Sequence, residues 1–343
     1  MNRPARVGVV GAGFGARVHV PAFRLDPRFE VVGLAASRAD RAEAVARERA
    51  IPRAFARWQD LVDDPAIDVV SIAVPPAAQP EVLERAVGAK KHVFAEKPLG
   101  GGAAFTARLA EQADASGLAH GVDFEFSEID VFQSARRSLS DGRIGRVRHA
   151  SVAWHLESYA HKQGLNDGWK TSKSAGAGVL GLFLSHSFYY LEWLLRRRIT
   201  DVRARLTSDP ELGADAADDV VHASLVLEGN VPVAVAASSC SRAGNGHRIE
   251  IHGDTGALVL ENVHSDYISG FELGWLDAPG QVKERLRSAW QPEPGVDGRV
   301  AAVAGLVRRL GDWIENGTRG EPNLRDGARI EALLERARID GTA

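Results

Sequence analysis

Arg6–Ala16 reads RVGVVGAGFGA, a short apolar run that stops at Gly11 and is followed by a segment of helical character. A strand that enters a glycine turn and leaves it as a helix is the context of the dinucleotide-binding fingerprint. Gly11 permits a tight turn, Gly13 lets the backbone approach a pyrophosphate, and Ala16 takes the third small position, where the helix packs on the strand. Such glycines also occur in ordinary βα turns, but the position directly after an N-terminal strand favours a nucleotide bound by the first amides of the helix.

Length and composition are typical of an ordinary globular protein with two domains. The chain has 343 residues, of which 45% are hydrophobic and 25% charged. A chain of this length usually folds into more than one domain, each with its own hydrophobic core. A formal net charge of −3 gives no basic surface for nucleic acid or for an acidic membrane. Cys240 is the only cysteine, so no disulfide framework can form, and no stretch approaches the ~20 apolar residues of a membrane span. Because the N-terminus also lacks an apolar signal core, we expect a cytoplasmic protein.

Apolar runs and helical segments alternate along the first third of the chain. The predicted elements are the strands Val7–Val10, Phe29–Ala36, Val69–Val74 and His92–Ala95, and the helices Val18–Leu25, 39–49 and 81–89. This alternation with short loops predicts an α/β fold with an N-terminal Rossmann domain, a doubly wound parallel sheet. Ligands bind such sheets beyond the carboxyl ends of the strands. The residues that follow strand ends, and that should meet in one crevice, are Gly13, Ser37, Pro75 and Lys97.

The end of the second strand bears on which dinucleotide is bound. NAD-type fingerprints place an acidic residue about 20 residues past the glycines, where it holds the ribose 2′-hydroxyl. Ser37 stands in that place here, and Arg38 beside it can pair with a 2′-phosphate. Asp40 is close enough to leave NAD open, and Ser37 could instead cap helix 40–49 beside a solvated arginine. We favour NADP as the cofactor, with NAD as the alternative.

Three segments of the first domain resemble one enzyme family. The glycine turn, Val74–Pro76 (VPP) and Ala95–Pro98 (AEKP) are similar to elements of the Gfo/Idh/MocA oxidoreductases, which include glucose–fructose oxidoreductase and inositol dehydrogenase. The resemblance covers nearly the whole chain, and its most specific part is the Glu-Lys-Pro element. It implies that Lys97 lies between nicotinamide and substrate, where its ammonium can hydrogen-bond a substrate oxygen. The alternative for Lys97 is a surface lysine before a proline that starts a helix.

We place the domain boundary near the strand that leads out of the first domain. Residues 1–121 form the dinucleotide-binding domain, and residues 122–343 form an α+β domain for substrate binding and oligomerisation. Alternating β-rich runs between residues 201 and 261 predict a large, mostly antiparallel open sheet in this second domain. Residues 263–298 are loop-rich and give no clear pattern of helix or strand. The chain closes with the helices Val300–Asn316 and Arg325–Arg338, the last of which is free to pack back on the first domain.

A glycine-rich segment of the second domain carries a histidine. Gly176–Tyr190 resembles the family segment that starts a helix with an aspartate and, four residues later, a histidine. His186 matches this histidine, whereas Leu182 stands where the aspartate would be; at i, i+4 spacing both side chains would share one helix face. An imidazole there can exchange a proton with a substrate oxygen while hydride moves at carbon. The alternative is a satisfied core histidine, and Tyr189 or Tyr190 could replace the missing aspartate.

Aromatic and polar residues near the end of the run 146–157 suit a sugar. Trp154 and Glu157 end that run, and Trp169 with Lys170 follows a polar loop that contains glycine. Aromatic rings can cover the apolar faces of a sugar, although core packing is the commoner role of a tryptophan. The candidate substrate contacts are Trp154, Glu157, Trp169, Lys170 and Tyr190.

These observations predict an NAD(P)-dependent oxidoreductase that moves a hydride between nicotinamide and a carbinol or carbonyl carbon of a sugar, cyclitol or sugar derivative. Lys97 would polarise the oxygen, and His186 would act as acid and base. The alternatives are a nucleotide-binding sensor without turnover, favoured by Leu182, and an enzyme that uses the cofactor transiently for elimination or epimerisation. No metal is expected, because the chain has no cysteine pair, no HExxH motif and no calcium-loop spacing.

The family resemblance further implies a homodimer or homotetramer that binds a carbohydrate-like small molecule. It also implies a set of residues that line the cofactor. These are Gly11, Ala12, Gly13, Phe14, Ser37, Arg38, Val74, Pro75, Glu96 and Lys97.

Overall fold

The computed structural model describes residues 3–163, 168–264, 268–278, 281–290 and 292–340. The chain divides into two compact units, Met1–Glu125 with Pro294–Glu331, and Phe126–Glu293 with Ala332–Ala343. The sequence suggested one boundary, between residues 121 and 122. The structure assigns 294–331 to the first unit instead, because the helix Val300–Asn316 buries its apolar face in the core of that unit.

The first unit is built on a six-stranded parallel sheet with the strand order β3-β2-β1-β4-β5-β6. Its strands are β1 (Ala5–Val10), β2 (Phe29–Ala35), β3 (Arg53–Phe55), β4 (Val69–Ile72), β5 (His92–Ala95) and β6 (His120–Val122). Val7, Val9 and Leu34 are fully buried, as expected for a sheet covered by helices on both faces. The prediction of a doubly wound parallel sheet is confirmed. Strand order reverses beside β1, which pairs with both β2 and β4, and ligands bind at such a switch point.

The sequence predicts a first helix over Val18–Leu25; in the structure helical backbone begins earlier, at Gly15, and the regular α-helix later, at Val20. A wide π turn, Gly15–His19, leads directly into the short α-helix that follows it. The α-helices are α1 (Val20–Arg24), α2 (Ala39–Glu48), α3 (Trp58–Asp63), α4 (Gln79–Gly88), α5 (Gly102–Ala115), α6 (Asp130–Ser140), α7 (Tyr159–Lys162), α8 (Ser185–Leu195), α9 (Val300–Asn316) and α10 (Leu324–Asp340). Within the described residues, none of these helices has the length and apolar character needed to cross a bilayer.

The second unit is built on an eight-stranded sheet with the order β14-β13-β12-β11-β7-β10-β9-β8. Its strands are β7 (Val147–His155), β8 (Ile199–Thr207), β9 (Val220–Leu227), β10 (Val231–Ser238), β11 (Gly246–Gly253), β12 (Ala257–Asn262), β13 (Glu272–Ala278) and β14 (Gln281–Arg287). β7 and β10 pair in parallel, and the other described pairs are antiparallel. The predicted mostly antiparallel sheet is therefore confirmed.

The segment 263–298, which is loop-rich and hard to read in the sequence, also contains the strands β13 and β14. All seven residues of β14 are exposed, so the strand lacks the alternation of apolar and polar residues by which strands are recognised. Ion pairs across the hairpin hold it instead: Lys283 Nζ lies 2.6 Å from Asp277 Oδ2, and Arg287 Nε lies 2.8 Å from Glu272 Oε1. A strand held by its partner in this way has no local sequence signal.

Candidate functional site

At the end of β1 the chain turns where a side chain cannot fit. Gly11 has a φ of +124°, and a Cβ added there would lie 2.2 Å from the carbonyl oxygen of Ala73. The Gly11 amide donates to the carbonyl of Ala35 at 2.9 Å, which ties the turn to the end of β2. Glycine alone suits both this backbone conformation and this close approach.

The next glycine faces open space. Gly13 is exposed, and among the described residues no heavy atom lies within 4 Å of a Cβ built on it. No side chain caps the helical segment that begins after Phe14. A backbone that is open on this side, at the carboxyl edge of β1, can be approached by a pyrophosphate. The turn Gly11–Phe14 therefore fits a dinucleotide.

Sequence reasoning missed the part played by Gly15. It assigned the close packing of helix on strand to Ala16, which is indeed buried at 3% exposure. A Cβ on Gly15, however, would lie 2.8 Å from Val9 Cγ1 and 3.2 Å from Ala73 Cβ. Gly15 thus also packs too closely on the sheet for a side chain to fit, and the extra glycine of the Gly-Phe-Gly run was the available signal.

The end of β2 presents an arginine to solvent. Arg38 is paired with Asp40, with Nε 3.0 Å from Oδ1 and Nη2 2.7 Å from Oδ2, and both side chains are exposed. Arg38 also holds the backbone position before α2, and no side chain caps that helix, so Ser37 is not its cap. A phosphate that bound Arg38 would compete with the Asp40 carboxylate for the guanidinium.

The loop after β4 packs against the turn after β5. Val74 and Pro75 are half-buried, and the Pro75 carbonyl accepts from the amide of Ala78 at 2.9 Å. A Cβ on Gly100 would lie 2.0 Å from the carbonyl oxygen of Pro76. The two loops therefore meet at backbone contact distance on the same edge of the sheet.

Beneath this edge lies a buried cluster that sequence reasoning missed. His19, in the π turn, places Nε2 3.1 Å from Glu96 Oε1 and 3.4 Å from Asp123 Oδ2. Its Nδ1 lies 2.8 Å from Ser71 Oγ. Glu96 and Asp123 directly follow β5 and β6, and His19 and Asp123 are fully buried. The signal was a histidine four residues past the last turn glycine, which becomes meaningful only beside the two strand ends.

The charges of this cluster depend on one another. Burial opposes a charge on His19, but hydrogen bonds to Asp123 and Glu96 outweigh it and raise the pKa of His19 to about 9. Burial, together with repulsion from Glu96, raises the pKa of Asp123 to about 7. Burial also opposes ionisation of Glu96, yet the hydrogen bond from His19 lowers its pKa. At neutral pH the cluster therefore contains an imidazolium facing an ionised Glu96.

Lys97 follows Glu96 and is half-buried at the same strand end. Burial lowers the pKa of Lys97, whereas the charges of Glu96, Glu125 and Asp123 oppose this shift. Burial and the charge of Asp123 raise the pKa of Glu125 well above its ordinary value. The protonation of Lys97 thus depends on the neighbouring carboxylates.

A pH dependence of stability follows from His19. Because its folded pKa is about 9 instead of 6.5, the stabilisation is complete below pH 6.5 and is lost as pH rises through 9. We expect the free energy of unfolding to fall by roughly 1–3 kcal/mol between pH 7 and 10 through this group. The fall should be smaller in His19→Gln, as measured by urea unfolding at each pH. His120→Gln is the control, since burial lowers the pKa of His120 to about 4. If the free energy of unfolding of His19→Gln fell with pH as steeply as that of the wild type, His19 would not be the group responsible.

In the second unit, His186 lies in the first turn of α8 and is 4% exposed. Its ring centroid is 4.9 Å from that of Phe126 and 6.2 Å from that of Trp154. Leu182 lies in a preceding π turn, Leu180–Leu184. Because this turn is wider than an α-helical turn, the regular i, i+4 relation expected for Leu182 and His186 does not extend across the junction.

Two of the predicted substrate contacts lie in the core of this unit. The hydroxyl of Tyr190 is 3.0 Å from both Ser187 Oγ and His247 Nε2, and the side chain is fully buried. The Trp154 ring stacks on His247 with centroids 4.1 Å apart and on Phe183 at 4.6 Å. Burial lowers the pKa of His247 to about 3, so this ring is neutral. Sequence reasoning gave no role to His247.

The other three predicted contacts are more accessible. Trp169 is 37% exposed, and Lys170 Nζ lies 5.8 Å from the centroid of its ring. Glu157 is half-buried, with Oε1 3.5 Å from Arg242 Nε, and its backbone bridges to Cys240. Trp169 is therefore partly open to solvent, whereas Trp154 is buried.

The same unit brings together His161, Asp219 and Cys240, whose ligand atoms all lie within 4.8 Å of one another. His161 Nε2 is 4.0 Å from Asp219 Oδ2. Ligand atoms that share a tetrahedral zinc lie only about 3.3–3.8 Å apart, given metal–ligand bonds of about 2.0–2.3 Å. The distance between His161 and Asp219 is therefore slightly longer than that between two ligands of one tetrahedral zinc.

Two family models match successive parts of the chain, which together cover most of it. A model described as an oxidoreductase family with an NAD-binding Rossmann fold matches residues 5–124, and the GFO/IDH/MocA C-terminal domain matches residues 132–259. An uncharacterized oxidoreductase from Synechocystis is 28% identical over 351 aligned positions, which cover 96% of this chain and 92% of the relative.

Two further comparisons extend over almost the full length. The dTDP-3,4-didehydro-2,6-dideoxy-alpha-D-glucose 3-reductase of Streptomyces violaceoruber is 27% identical over 344 positions, 98% of this chain and 94% of the relative. The solved structure of a levoglucosan dehydrogenase with NADH and levoglucosan has a TM-score of 0.85 at 22% identity, covering 99% of this chain and 97% of that one. At that identity the likeness establishes the fold. The chain belongs to the Gfo/Idh/MocA family of oxidoreductases and is a dehydrogenase or reductase acting on CH–OH groups.

Proposed function

We propose that this enzyme passes a hydride between NAD(P) and a carbinol or carbonyl carbon of a sugar, cyclitol or sugar derivative. The dinucleotide supplies or accepts the hydride when bound. One observation carries the proposal: Lys97 follows β5 on the same carboxyl edge of the parallel sheet as the open glycine turn. An ammonium there can donate to the substrate oxygen and stabilise the negative charge that develops on it.

His186 is the proposed acid and base. Its imidazole would give a proton to the substrate oxygen in reduction and take one in oxidation. Support comes from its position in the first turn of α8, directly after a glycine-containing π turn. The neighbouring rings of Phe126 and Trp154 exclude water around the imidazole.

The substrate class is supported by the names of relatives and by the exposed aromatic residue. One relative reduces a dTDP-linked keto sugar by its name, and a structural neighbour binds levoglucosan. Trp169 offers a ring to a sugar face, with Lys170 and Glu157 as polar contacts. Trp154 and Tyr190 are buried in this structure, so they would affect substrate through the packing of Phe183 and His247.

NADP is the proposed cofactor, and Arg38 is its proposed 2′-phosphate contact. Arg38→Ala should weaken NADPH binding roughly 10–100-fold, the value of one charge-assisted contact, and should leave NADH within about twofold. Fluorescence titration with both cofactors measures this. Arg41→Ala, an exposed arginine in the first turn of the same helix, is the matched control. Tighter NADH binding in wild type, unchanged in Arg38→Ala, would refute the NADP preference.

A sensor without turnover is the second candidate, and Leu182 in place of an aspartate is the observation that favours it. An enzyme that uses the cofactor transiently, for elimination or epimerisation, is the third. The absorbance of reduced nicotinamide, followed with a panel of polyols, keto sugars and nucleotide sugars, separates the three. A sensor changes neither cofactor nor sugar, whereas a transient user converts the sugar with no net change in cofactor.

We also propose that the enzyme is a homodimer or homotetramer that uses a face of the eight-stranded sheet. Exposed and buried residues alternate along β9 and β10, which leaves one face available to a partner. Light scattering coupled to size-exclusion chromatography measures the assembly. A monomer at micromolar concentration would refute this proposal.

A further inference from the structure

We propose that His19 and Asp123 are positioning residues for Lys97: through Glu96 they hold the Glu96–Lys97 turn in place and set the charge that the ammonium faces. The inference rests on the proposed function, in which Lys97 polarises the substrate oxygen. Neither His19 nor Asp123 is proposed to touch substrate or cofactor. Both influence Lys97 from the buried side of the strand ends.

Four separate elements converge on this cluster. The π turn brings His19, β4 brings Ser71, and the ends of β5 and β6 bring Glu96 and Asp123. The backbone hydrogen bonds of the parallel sheet continue through both acidic residues. The Glu96 amide donates to the carbonyl of Ile72 at 2.9 Å, and the Asp123 amide donates to the carbonyl of Ala95 at 2.8 Å. Glu96 is therefore held both at its backbone and, through His19, at its carboxylate, while Asp123 is held at its backbone and lies 3.4 Å from the same ring. This arrangement fixes the direction in which Lys97 leaves the strand.

The imidazole makes this arrangement electrostatically possible. Two carboxylates in contact in a buried site cannot both ionise unless a cation lies between them. His19 Nε2 faces both carboxylates, and Ser71 Oγ accepts from Nδ1–H in the imidazolium form. Phe14 and Phe94 pack edge-on against the ring, with centroids 5.4 and 5.2 Å away. Because water is excluded here, the charges act on Lys97 with little screening.

The groups that act on Lys97 come from every neighbouring element of this unit. Glu96, Asp123 and Glu125 favour its protonated form, whereas Arg299 at the start of α9 disfavours it. Arg299 is itself paired with Asp297, with Nη2 2.7 Å from Oδ2. Removing the Asp123 charge removes one attraction and leaves Arg299 in place. The proton on Lys97 should then be held less tightly.

Titration of Lys97 in Asp123→Asn tests the inference without relying on turnover. The chain has only seven lysines, so the NMR spectrum of the protein after reductive ¹³C-methylation contains few lysine signals. The signal that is missing from the spectrum of Lys97→Arg is that of Lys97. We expect the Lys97 midpoint to fall by about 0.5–1 pH unit in Asp123→Asn, with the other lysines unchanged. In turnover, the alkaline limb of kcat/KM should move in the same direction, while cofactor affinity stays within about threefold.

Asp114→Asn is the matched control. Asp114 also contacts a buried histidine, with Oδ1 3.2 Å from His120 Nε2, but it is absent from the charges that dominate the pKa of Lys97. His19→Gln is the second variant: the hydrogen bond and charge of His19 lower the pKa of Asp123, so without them Asp123 should ionise at a higher pH and attract the Lys97 ammonium less, and the Lys97 midpoint should again fall. It replaces Asp123→Asn if that variant does not fold.

The outcomes separate the two proposals. An unchanged Lys97 midpoint in a folded Asp123→Asn or His19→Gln protein, or an equal shift in Asp114→Asn, overturns the positioning role. A shifted midpoint in a protein that turns over no sugar supports the positioning role and overturns the proposed function instead.

Discussion

Lys97→Met is expected to lower kcat/KM for sugar oxidation or reduction by roughly 10²–10⁴-fold, the range for loss of a positioned proton donor. Methionine keeps most of the length and the apolar stem of lysine, so the half-buried site stays filled. The ammonium, which we propose donates to the substrate oxygen, is removed. Because the glycine turn is untouched, the affinity for reduced dinucleotide should remain within about threefold of wild type. Steady-state kinetics and fluorescence titration measure the two effects.

Lys90→Met is the control for this experiment. Lys90 follows α4, is exposed, and donates to Ser116 Oγ at 2.8 Å. The same chemical change there should leave kcat/KM within about twofold. Equal losses in the two variants, or near-normal turnover in Lys97→Met, would show that Lys97 is not the group that polarises the substrate.

Gly11→Ala and Gly13→Ala should differ in kind, although each adds one methyl group to the same turn. At Gly11 the methyl would lie 2.2 Å from a backbone oxygen, at a φ of +124°. The turn must shift to relieve this contact, so we expect a loss of about 2–4 kcal/mol of stability without any ligand. Thermal unfolding of the cofactor-free protein measures it.

Gly13→Ala should leave the cofactor-free protein unchanged, because no described atom lies within 4 Å of the added methyl. The methyl occupies the space through which a pyrophosphate would approach the backbone. We expect cofactor binding to weaken roughly 100-fold, about 2.8 kcal/mol. Unchanged binding in Gly13→Ala would place the dinucleotide elsewhere. A normal melting temperature in Gly11→Ala would contradict the backbone contact.

Local sequence patterns were enough for the architecture of the first unit. The short apolar strands, each followed by a glycine, a proline or a polar residue, predict a parallel sheet, and the strand-end rule places Gly13 and Lys97 on one edge. Alternating runs likewise predict the sheet of the second unit. These predictions succeed because strand and helix geometry is regular. The spacing of apolar residues therefore indicates the same secondary structure in every such protein, and every strand of a parallel sheet ends at the same edge.

Residues whose role depends on distant partners were not predictable in this way. His19 gives no sign in the sequence that it lies between Glu96 and Asp123, which are 77 and 104 positions away. Tyr190 was placed among the substrate contacts because no local feature shows that its hydroxyl lies 3.0 Å from His247 Nε2 in the core. β14 was missed because its charges are satisfied across the hairpin and not by a core.

The sequence by itself determined the strand-end positions of the glycine turn and of Lys97, because a parallel sheet sends every strand end to one edge. Only the tertiary structure decided which charges surround Lys97, that Gly15 as well as Ala16 packs closely on the sheet, and that α9 completes the first core. The physical reason is that burial and electrostatics are properties of contacts between distant segments, and these contacts exist only once the chain has packed.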